Sequence, residues 1–318
     1  MHPWNEPVFR SIAARTARLP HALLIHGMRG IGKLALAERV GQLLLCESGD
    51  EASRPCGECD GCRWFLAGSH PDFRRIEPEA LAPEVAPEEG EAPARRAKPS
   101  NEIKIDQVRE LADFLNLRSY RARLRVALVH PAEDMNPSAA NALLKGLEEP
   151  PAGAVFLLVS HRPAQLLPTI RSRCVRVPIP LPEREAGLAW LNGQGVKDAA
   201  RWLSYAGGAP LRALDYAREA DAYAGLLEDP GEADDRESLL RLGEALQKTA
   251  LDHAFQAFGL PAKYATGAVT PPAEQGLAWL SYARRMGNDR LLCGHPVNPR
   301  LFSAYLLASR PKARENLR

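Results

Sequence analysis

Short apolar runs alternate with helical patterns through the first half of the chain. Three runs are uninterrupted, at 22–26, 126–129 and 154–159, and each has the length of one buried strand. Weaker strand patterns lie at 72–76 and near Val175. Helical spacing of apolar residues is found at 33–45, 103–115, 136–148 and from about Pro163. Strands that alternate with helices predict an α/β domain with a parallel sheet.

The pattern changes after residue 180, beyond which only helical patterns are found. They lie at 182–192, 197–206, 210–222, 235–258, 272–286 and 298–309. We therefore predict three domains: an α/β domain at 1–178, a small helical domain at 179–225 and an all-helical domain at 226–318. Residues 77–101 have no apolar periodicity and are rich in proline and charge, which predicts a flexible loop within the first domain.

The composition changes this picture little. The chain has 318 residues, 45% hydrophobic and 25% charged, and a net charge of +2. A net charge this small gives no overall field that would draw the protein onto nucleic acid. We find no apolar run of membrane-spanning length and no signal peptide, so we predict a cytoplasmic protein without a membrane partner. Thiols stay reduced in the cytoplasm, so clustered cysteines there indicate a metal site.

A phosphate-binding loop is indicated between the first strand and the first long helix. The residues from Gly27 to Lys33 fit the pattern G-x-x-x-x-G-K, with Gly30 and Gly32 inside it. The glycines would let backbone N–H groups surround phosphate oxygens, and Lys33 would reach the terminal phosphates. These four residues are the candidate nucleotide site.

The residues that hydrolysis requires are missing around this loop. Leu34 stands where a hydroxyl would bind magnesium. The strand at 126–129 leads into His130 and Pro131, where an ATPase needs carboxylates for magnesium and water. Glu133 and Asp134 come three and four positions too late unless the chain bulges. We predict no hydrolysis, while binding of ATP or ADP stays open because the glycines and the lysine remain.

Four of the six cysteines form one C-x9-C-x2-C-x2-C cluster: Cys46, Cys56, Cys59 and Cys62. Four thiolates complete a tetrahedral zinc site with no open position, so the predicted metal is structural zinc, with an iron–sulfur cluster as the alternative. Zinc binding of this kind contributes on the order of 10 kcal/mol to folding. The other two cysteines are isolated, and we interpret them as buried free thiols.

Three segments, taken in order, resemble the clamp-loader branch of the AAA+ proteins. They are 139–151 (AANALLKGLEEPP), 156–160 (FLLVS) and 167–174 (LPTIRSRC). The four-cysteine insert after the phosphate loop is also found in bacterial members of that branch. The resemblance covers residues 10 to about 215, and the later helices match only in general character. It implies a P-loop AAA+ domain with a zinc-binding insert, a helical lid domain and an all-α collar domain.

Two types of bacterial clamp-loader subunit carry this insert: the motor subunit (tau/gamma), which hydrolyses ATP, and a stator, which does not. The chain departs from the motor pattern at Leu34, at His130-Pro131 and at Leu211, where the motor has a sensing arginine; Arg212 comes one position late. The resemblance therefore implies a stator with little or no ATPase activity of its own. Its implied partners are the tau/gamma motor subunits, the delta subunit, the sliding clamp and, through the assembly, primed DNA.

The same resemblance assigns a catalytic role in trans to Arg173, within Ser172-Arg173-Cys174. Arg173 would act as an arginine finger on the γ-phosphate of ATP held by a neighbouring motor subunit. A guanidinium suits this role because it is always charged and donates several hydrogen bonds to phosphoryl oxygens.

Two alternatives remain open at this stage. One is an autonomous motor ATPase, against which the missing carboxylates speak. The other is a zinc-dependent DNA-binding module, which the basic turn at 118–125 would support; its arginines are Arg118, Arg121, Arg123 and Arg125.

Overall fold

The structure is a computed structural model, and it describes residues 1–82, 99–117, 119–120, 124–267, 270–293 and 295–311. The chain divides into two compact units, Met1–Leu181 and Pro182–Arg318. The first unit combines strands and helices, and the described part of the second is helical. The α/β region followed by a helical region is thus confirmed, while the finer division of the helical part at residues 225 and 226 stays a prediction.

The first unit is built on a five-stranded sheet in which all neighbouring strands are parallel. The strands are β1 (Ala22–His26), β2 (Phe73–Ile76), β3 (Arg125–Val129), β4 (Ala154–Ser160) and β5 (Val175–Pro178). Their order across the sheet is β2-β3-β4-β1-β5. In open parallel sheets, ligands bind at the carboxyl ends of the strands. The loops after β1, β3 and β4 therefore form the edge where a site is expected.

Six α-helices belong to this unit in its described part. They are α1 (Glu6–Ala13), α2 (Lys33–Leu45), α3 (Asp60–Leu66), α4 (Ile105–Asn116), α5 (Pro137–Glu148) and α6 (Pro168–Arg173). The predicted cap of α5 is confirmed, since the Asn136 side chain accepts a hydrogen bond from the N–H of Ala139 at 2.8 Å. The helix expected from Pro163 is a 3₁₀ turn at Pro163–Gln165, and α6 follows from Pro168. The two are separate because a proline disfavours helical geometry in the residue before it, and Leu167 has a ψ of 135°.

The core of this unit lies on the sheet. Every residue of β3 and β4 is buried, as expected for parallel strands covered on both faces. Leu111 of α4 and Leu143 of α5 pack in the same apolar cluster as Phe156 of β4. This covered sheet fixes the positions of the loops at its carboxyl edge.

The predicted loop at 77–101 is ordered at both of its ends. Glu79 forms an ion pair with Lys104 at 2.6 Å and accepts a hydrogen bond from the N–H of Ser100 at 3.0 Å. Residues 83–98 of the predicted loop lie outside the described residues. The flexible-loop prediction is therefore untested over most of its length.

The second unit contains seven helices in its described part. They are α7 (Arg184–Gly193), α8 (Ala199–Tyr205), α9 (Pro210–Arg218), α10 (Ala220–Glu228), α11 (Arg236–Ala257), α12 (Gly276–Leu292) and α13 (Pro299–Ala308). The helix predicted at 210–222 is two helices that meet at Glu219, a break that no glycine or proline marks. Leu242 of α11, Met286 of α12 and Leu306 of α13 share one buried cluster. No helix in the described ranges is long and apolar enough to cross a membrane.

Candidate functional site

The loop between β1 and α2 has the backbone conformation that its glycines predict. Gly30 and Gly32 have φ angles of 84° and 82°, in the left-handed region that favours glycine. At Gly27 a Cβ atom would lie 2.6 Å from the carbonyl oxygen of Ile179, so only glycine fits there without a shift. The loop thus makes a glycine-dependent turn at the start of a 13-residue helix, and its phosphate-binding role stays a prediction.

Two residues near the amino terminus form hydrogen bonds to the backbone of this loop. The sequence did not indicate this contact. The indole N–H of Trp4 donates a hydrogen bond to the carbonyl of Ile31 at 2.9 Å. The buried Asn5 amide donates to the carbonyls of Ile31 and Gly32 at 3.0 and 3.1 Å. Residue type alone gives no signal for this contact, because the partners lie 26 or more positions apart.

The Lys33 side chain points back at the loop that precedes it. Its ammonium donates hydrogen bonds to the carbonyl of Gly27 at 2.8 Å and to that of Met28, and the residue is only 2% exposed. Burial lowers the pKa of Lys33 to about 8, an effect that Glu133 opposes and Arg29 reinforces. The lysine therefore has partners in this conformation, and binding a phosphate would require it to exchange them.

Two histidines occupy the sheet edge beside this loop. His130 follows β3 and His161 follows β4, and their rings meet edge to face with centroids 5.4 Å apart. Burial, together with the positive charge of Lys33, lowers the pKa of His130 to about 4 and that of His161 to about 3. Both imidazoles are therefore neutral at physiological pH. Magnesium prefers oxygen ligands, so these rings do not replace the missing carboxylate.

The Glu133 side chain lies at this edge of the sheet. In the sequence, Glu133 comes three positions after His130, where an ATPase has its carboxylate. A 3₁₀ turn at Ala132–Asp134 follows β3, and the Glu133 side chain is 1% exposed. One carboxylate oxygen accepts hydrogen bonds from the backbone N–H groups of His161 and Arg162, at 2.9 and 3.1 Å. The carboxylate thus holds the loop after β4 in place and lies close enough to raise the pKa of Lys33.

The four clustered cysteines converge as predicted. All four sulfur atoms lie within 4.8 Å of one another. The Cys46–Cys56, Cys46–Cys59 and Cys56–Cys62 sulfur distances are 3.6, 3.9 and 4.0 Å. Four sulfurs at a Zn–S distance of about 2.3 Å would be separated by about 3.8 Å in a regular tetrahedron. The cluster is therefore consistent with a structural zinc site.

Local geometry brings these sulfurs together. Cys46 directly follows α2, Cys59 caps α3, and Cys62 lies in the first turn of α3. A Cβ at Gly61 would lie 2.5 Å from the carbonyl oxygen of Leu45, so this glycine permits the close approach of the two helices. Backbone N–H groups also point at the sulfurs, for example from Cys62 to Cys59 at 3.4 Å. Such donors stabilise thiolates, which are the form that binds metal.

Arg173 is the last residue of α6, far along the chain from the cysteine cluster. Its guanidinium donates a hydrogen bond to the carbonyl of Thr169 at 3.0 Å and forms an ion pair with Glu148 of α5. The side chain is 32% exposed. The adjacent Cys174 is buried in the core of the first unit, and burial raises the pKa of its thiol to about 11. Arg173 is therefore the accessible member of the pair, and Cys174 anchors the segment.

Arg212 is occupied within the second unit. It lies 3.2 Å from the Glu244 carboxylate of α11, which also pairs with Lys248 at 3.0 Å and accepts a hydrogen bond from the Tyr216 hydroxyl. The sequence did not indicate Glu244, because two of its partners, Arg212 and Tyr216, are on another helix. The network joins α9 to α11, and it gives Arg212 a structural partner in the conformation described.

The Glu244 network predicts a pH-dependent stability. Burial would raise the pKa of Glu244, but Lys248, the Tyr216 hydroxyl and Arg212 outweigh it and hold the pKa at about 2, below the usual 4.5. The carboxylate therefore stabilises the fold above pH 4.5, and this contribution is lost as pH falls toward 2. We expect E244Q to lower the free energy of unfolding at pH 7 by about 3 kcal/mol.

Urea unfolding at pH 7 and pH 3 measures this effect. The difference between wild type and E244Q should shrink as the pH falls. E237Q is a matched control on the same helix, because Glu237 is 73% exposed and its pair with Arg241 should contribute less than about 1 kcal/mol. Equal stability of E244Q and wild type at pH 7 would contradict the prediction.

The basic turn at 118–125 is only partly described. Arg118, Arg121 and Arg123 lie outside the described residues. Arg125 is buried, lies 3.7 Å from Asp72 and stacks on the Phe114 ring at 4.8 Å. It is therefore part of the core and cannot contribute to a surface patch for DNA.

Comparison with known proteins places these features in a family. A family model described as "DNA polymerase III, delta subunit" matches residues 7–183, which is more than half of the chain. DNA polymerase III subunit delta' of Pseudomonas aeruginosa is 41% identical over 217 residues, covering 67% of this chain and 60% of that protein. The delta' subunit of Yersinia pestis is 36% identical, covering 61% of this chain and 52% of that protein. The tau subunit of Salmonella typhimurium is 34% identical over 159 residues, covering 50% of this chain and 21% of that protein.

The chain thus spans 60% and 52% of the length of these two delta' relatives. The family model covers β1 to β5 and hence the phosphate loop, the cysteine cluster and Arg173. The chain belongs to the family of DNA polymerase III delta' subunits.

Proposed function

We propose that this chain is the stator subunit of the DNA polymerase III clamp loader, without ATP hydrolysis of its own. It would help place the sliding clamp on primed DNA during replication. The observation that carries the proposal is the sheet edge beside the phosphate loop. There, Leu34 stands where an ATPase has its magnesium-binding hydroxyl, and His130 stands where it has a carboxylate. The His130 ring packs against that of His161.

The catalytic contribution in this proposal is Arg173, acting in trans on ATP bound to a neighbouring motor subunit. The guanidinium lies at the end of α6 and is partly exposed, while the buried Cys174 fixes the chain next to it. A charged group held on a short helix can stabilise charge on a transferring phosphoryl group without reorganising. This placement supports the assignment of an arginine finger.

The cysteine cluster has a structural part in the proposal. With four protein ligands, zinc would have no open position for water or substrate, so it would hold the segment between α2 and α3 together. That segment is short and contributes few residues to the core. Zinc therefore replaces the packing that a larger insert would supply.

The helical unit would supply the lid and collar of an AAA+ clamp-loader subunit. Its last two helices carry large apolar side chains that are exposed in the single chain: Leu277, Leu291, Leu292, Leu301 and Tyr305. Exposed apolar surface of this kind marks an interface, and permanent assemblies use large apolar ones. We propose that the tau/gamma motor subunits and the delta subunit cover this surface, and that the assembly works in the cytoplasm.

We expect the assembled clamp loader to hydrolyse ATP and the isolated chain not to. The purified chain should show no ATP hydrolysis above background, and neither should K33A. Leu34 offers no hydroxyl to magnesium, and the Glu133 carboxylate is bound to the backbone N–H groups of His161 and Arg162. Adding motor and delta subunits, clamp and primed DNA should produce strong hydrolysis that K33A leaves unchanged. Hydrolysis by the chain alone that is lost in K33A would contradict the proposal and favour a motor ATPase.

A further inference from the structure

The partner of Arg173 within its own chain is Glu148, the last residue of α5. The two side chains form an ion pair across 25 positions of sequence, and they are 32% and 48% exposed. Glu148 and Glu149 are adjacent carboxylates at a helix end where backbone carbonyls already give a negative potential. A guanidinium is attracted to this place, and Glu148 is the carboxylate that binds it.

The hydrogen bonds of Arg173 show how it is held. One terminal nitrogen donates to the Thr169 carbonyl at 3.0 Å, and the other pairs with Glu148. The bond to Thr169 lies within α6 and orients the side chain along the helix. The ion pair with Glu148 depends on the positive charge of the Arg173 guanidinium, and binding to a phosphate would depend on the same charge. The two anions compete for one guanidinium.

We infer that Glu148 is a positioning residue that holds Arg173 within its own chain until the phosphates of a neighbouring subunit's nucleotide displace it. The inference rests on the proposed function of Arg173. The pair is half exposed and therefore exchangeable, whereas a buried pair would be too costly to open. Arg173 binds ATP only when the phosphates of the neighbouring subunit's nucleotide carry enough negative charge to displace Glu148.

The size of the effect follows from the exposure of the pair. A binding-competent state that is only partly populated weakens apparent affinity by its populated fraction. Exposed ion pairs shift such equilibria by about 1.4- to 5-fold, and salt reduces the effect. Removing the Glu148 charge should lower the half-saturating ATP concentration of the loader by that factor, without raising its maximal rate.

The test uses reconstituted loader with primed DNA, measuring ATP hydrolysis against ATP concentration at low and high salt. The variants are E148Q, E149Q, R173A and E148Q/R173A. Glu149 is the matched control, since it is adjacent and exposed and its side chain forms no ion pair with any residue that the structure describes. E148Q should lower the half-saturating concentration at low salt, with a smaller effect at high salt. E149Q should have no effect, and E148Q should change nothing in the R173A background.

Each other outcome counts against the inference. If R173A reduces hydrolysis but E148Q behaves as wild type, the finger stands and the holding role of Glu148 is wrong. If E148Q instead lowers the maximal rate, Glu148 aligns the finger for the reaction and does not compete with phosphate. If R173A hydrolyses ATP as wild type does, the proposed function and this inference both fail. Equal melting temperatures of the variants exclude misfolding as the cause.

Discussion

Replacing Cys59 and Cys62 together with serine should remove one equivalent of zinc and unfold the segment between α2 and α3. Cys59 caps α3 and Cys62 lies in its first turn, so two ligands and a helix start are lost at once. Structural zinc contributes on the order of 10 kcal/mol in small peptides, and we expect several kcal/mol here because the rest of the unit has its own core. Metal analysis and thermal unfolding measure the two effects, and a strong chelator should reproduce them.

A single C293S variant is the control for thiol loss as such. Cys293 is a buried thiol outside the cluster, so its replacement should leave the metal content unchanged. If the double variant keeps its metal, or has the same melting temperature as wild type, the four sulfurs do not form the binding site. Purified protein that contains iron and absorbs visible light would indicate the iron–sulfur alternative.

Replacing Arg173 with alanine should lower single-turnover ATP hydrolysis at the interface it serves by at least about 10-fold, because a charged hydrogen bond contributes about 1.5–3 kcal/mol. Arginine fingers in GTPase systems contribute about 10³–10⁵ in rate, which sets an upper limit. Assembly should be intact, since the residue is partly exposed and its loss opens no cavity in the core. Rapid mixing of reconstituted loader with ATP and primed DNA measures the rate, and gel filtration checks assembly.

Two further variants separate charge from geometry. R173K keeps the charge but loses the planar fork, so we expect an intermediate rate. R176A removes an exposed arginine on β5, three positions further along, and should leave the rate unchanged. An R173A loader with the wild-type single-turnover rate would falsify the role in trans.

The sheet could be predicted from the sequence because its central strands are buried on both faces. The apolar runs at β1, β3 and β4 stand out for this reason, whereas β5 is mostly exposed and gave only a weak signal. The cap at Asn136 and the convergence of the cysteines were also predictable, because both depend on residues close in sequence. These features are determined by interactions between residues that are close together in the sequence.

The contacts around the candidate site could not be predicted in the same way. Glu148 binds Arg173 across 25 positions, Glu244 binds Arg212 across 32, and Asn5 holds the loop at Ile31 across 26. Each depends on which elements the fold brings together. The return of Glu133 to the sheet edge depends on a 3₁₀ turn that no residue pattern marks. The sequence therefore indicated where the site lies but not which carboxylates surround it.

The state of the cysteines makes this subunit suited to fluorescence measurements. Cys174 and Cys293 are buried, and burial raises the pKa of both thiols, so they react slowly with maleimides. The remaining four cysteines are the cluster, which zinc would protect under the proposal above. A cysteine introduced at the exposed position of Arg176 should therefore take up a single dye near the proposed finger. Energy transfer to a labelled motor subunit would then report, in real time, when the two subunits close around ATP.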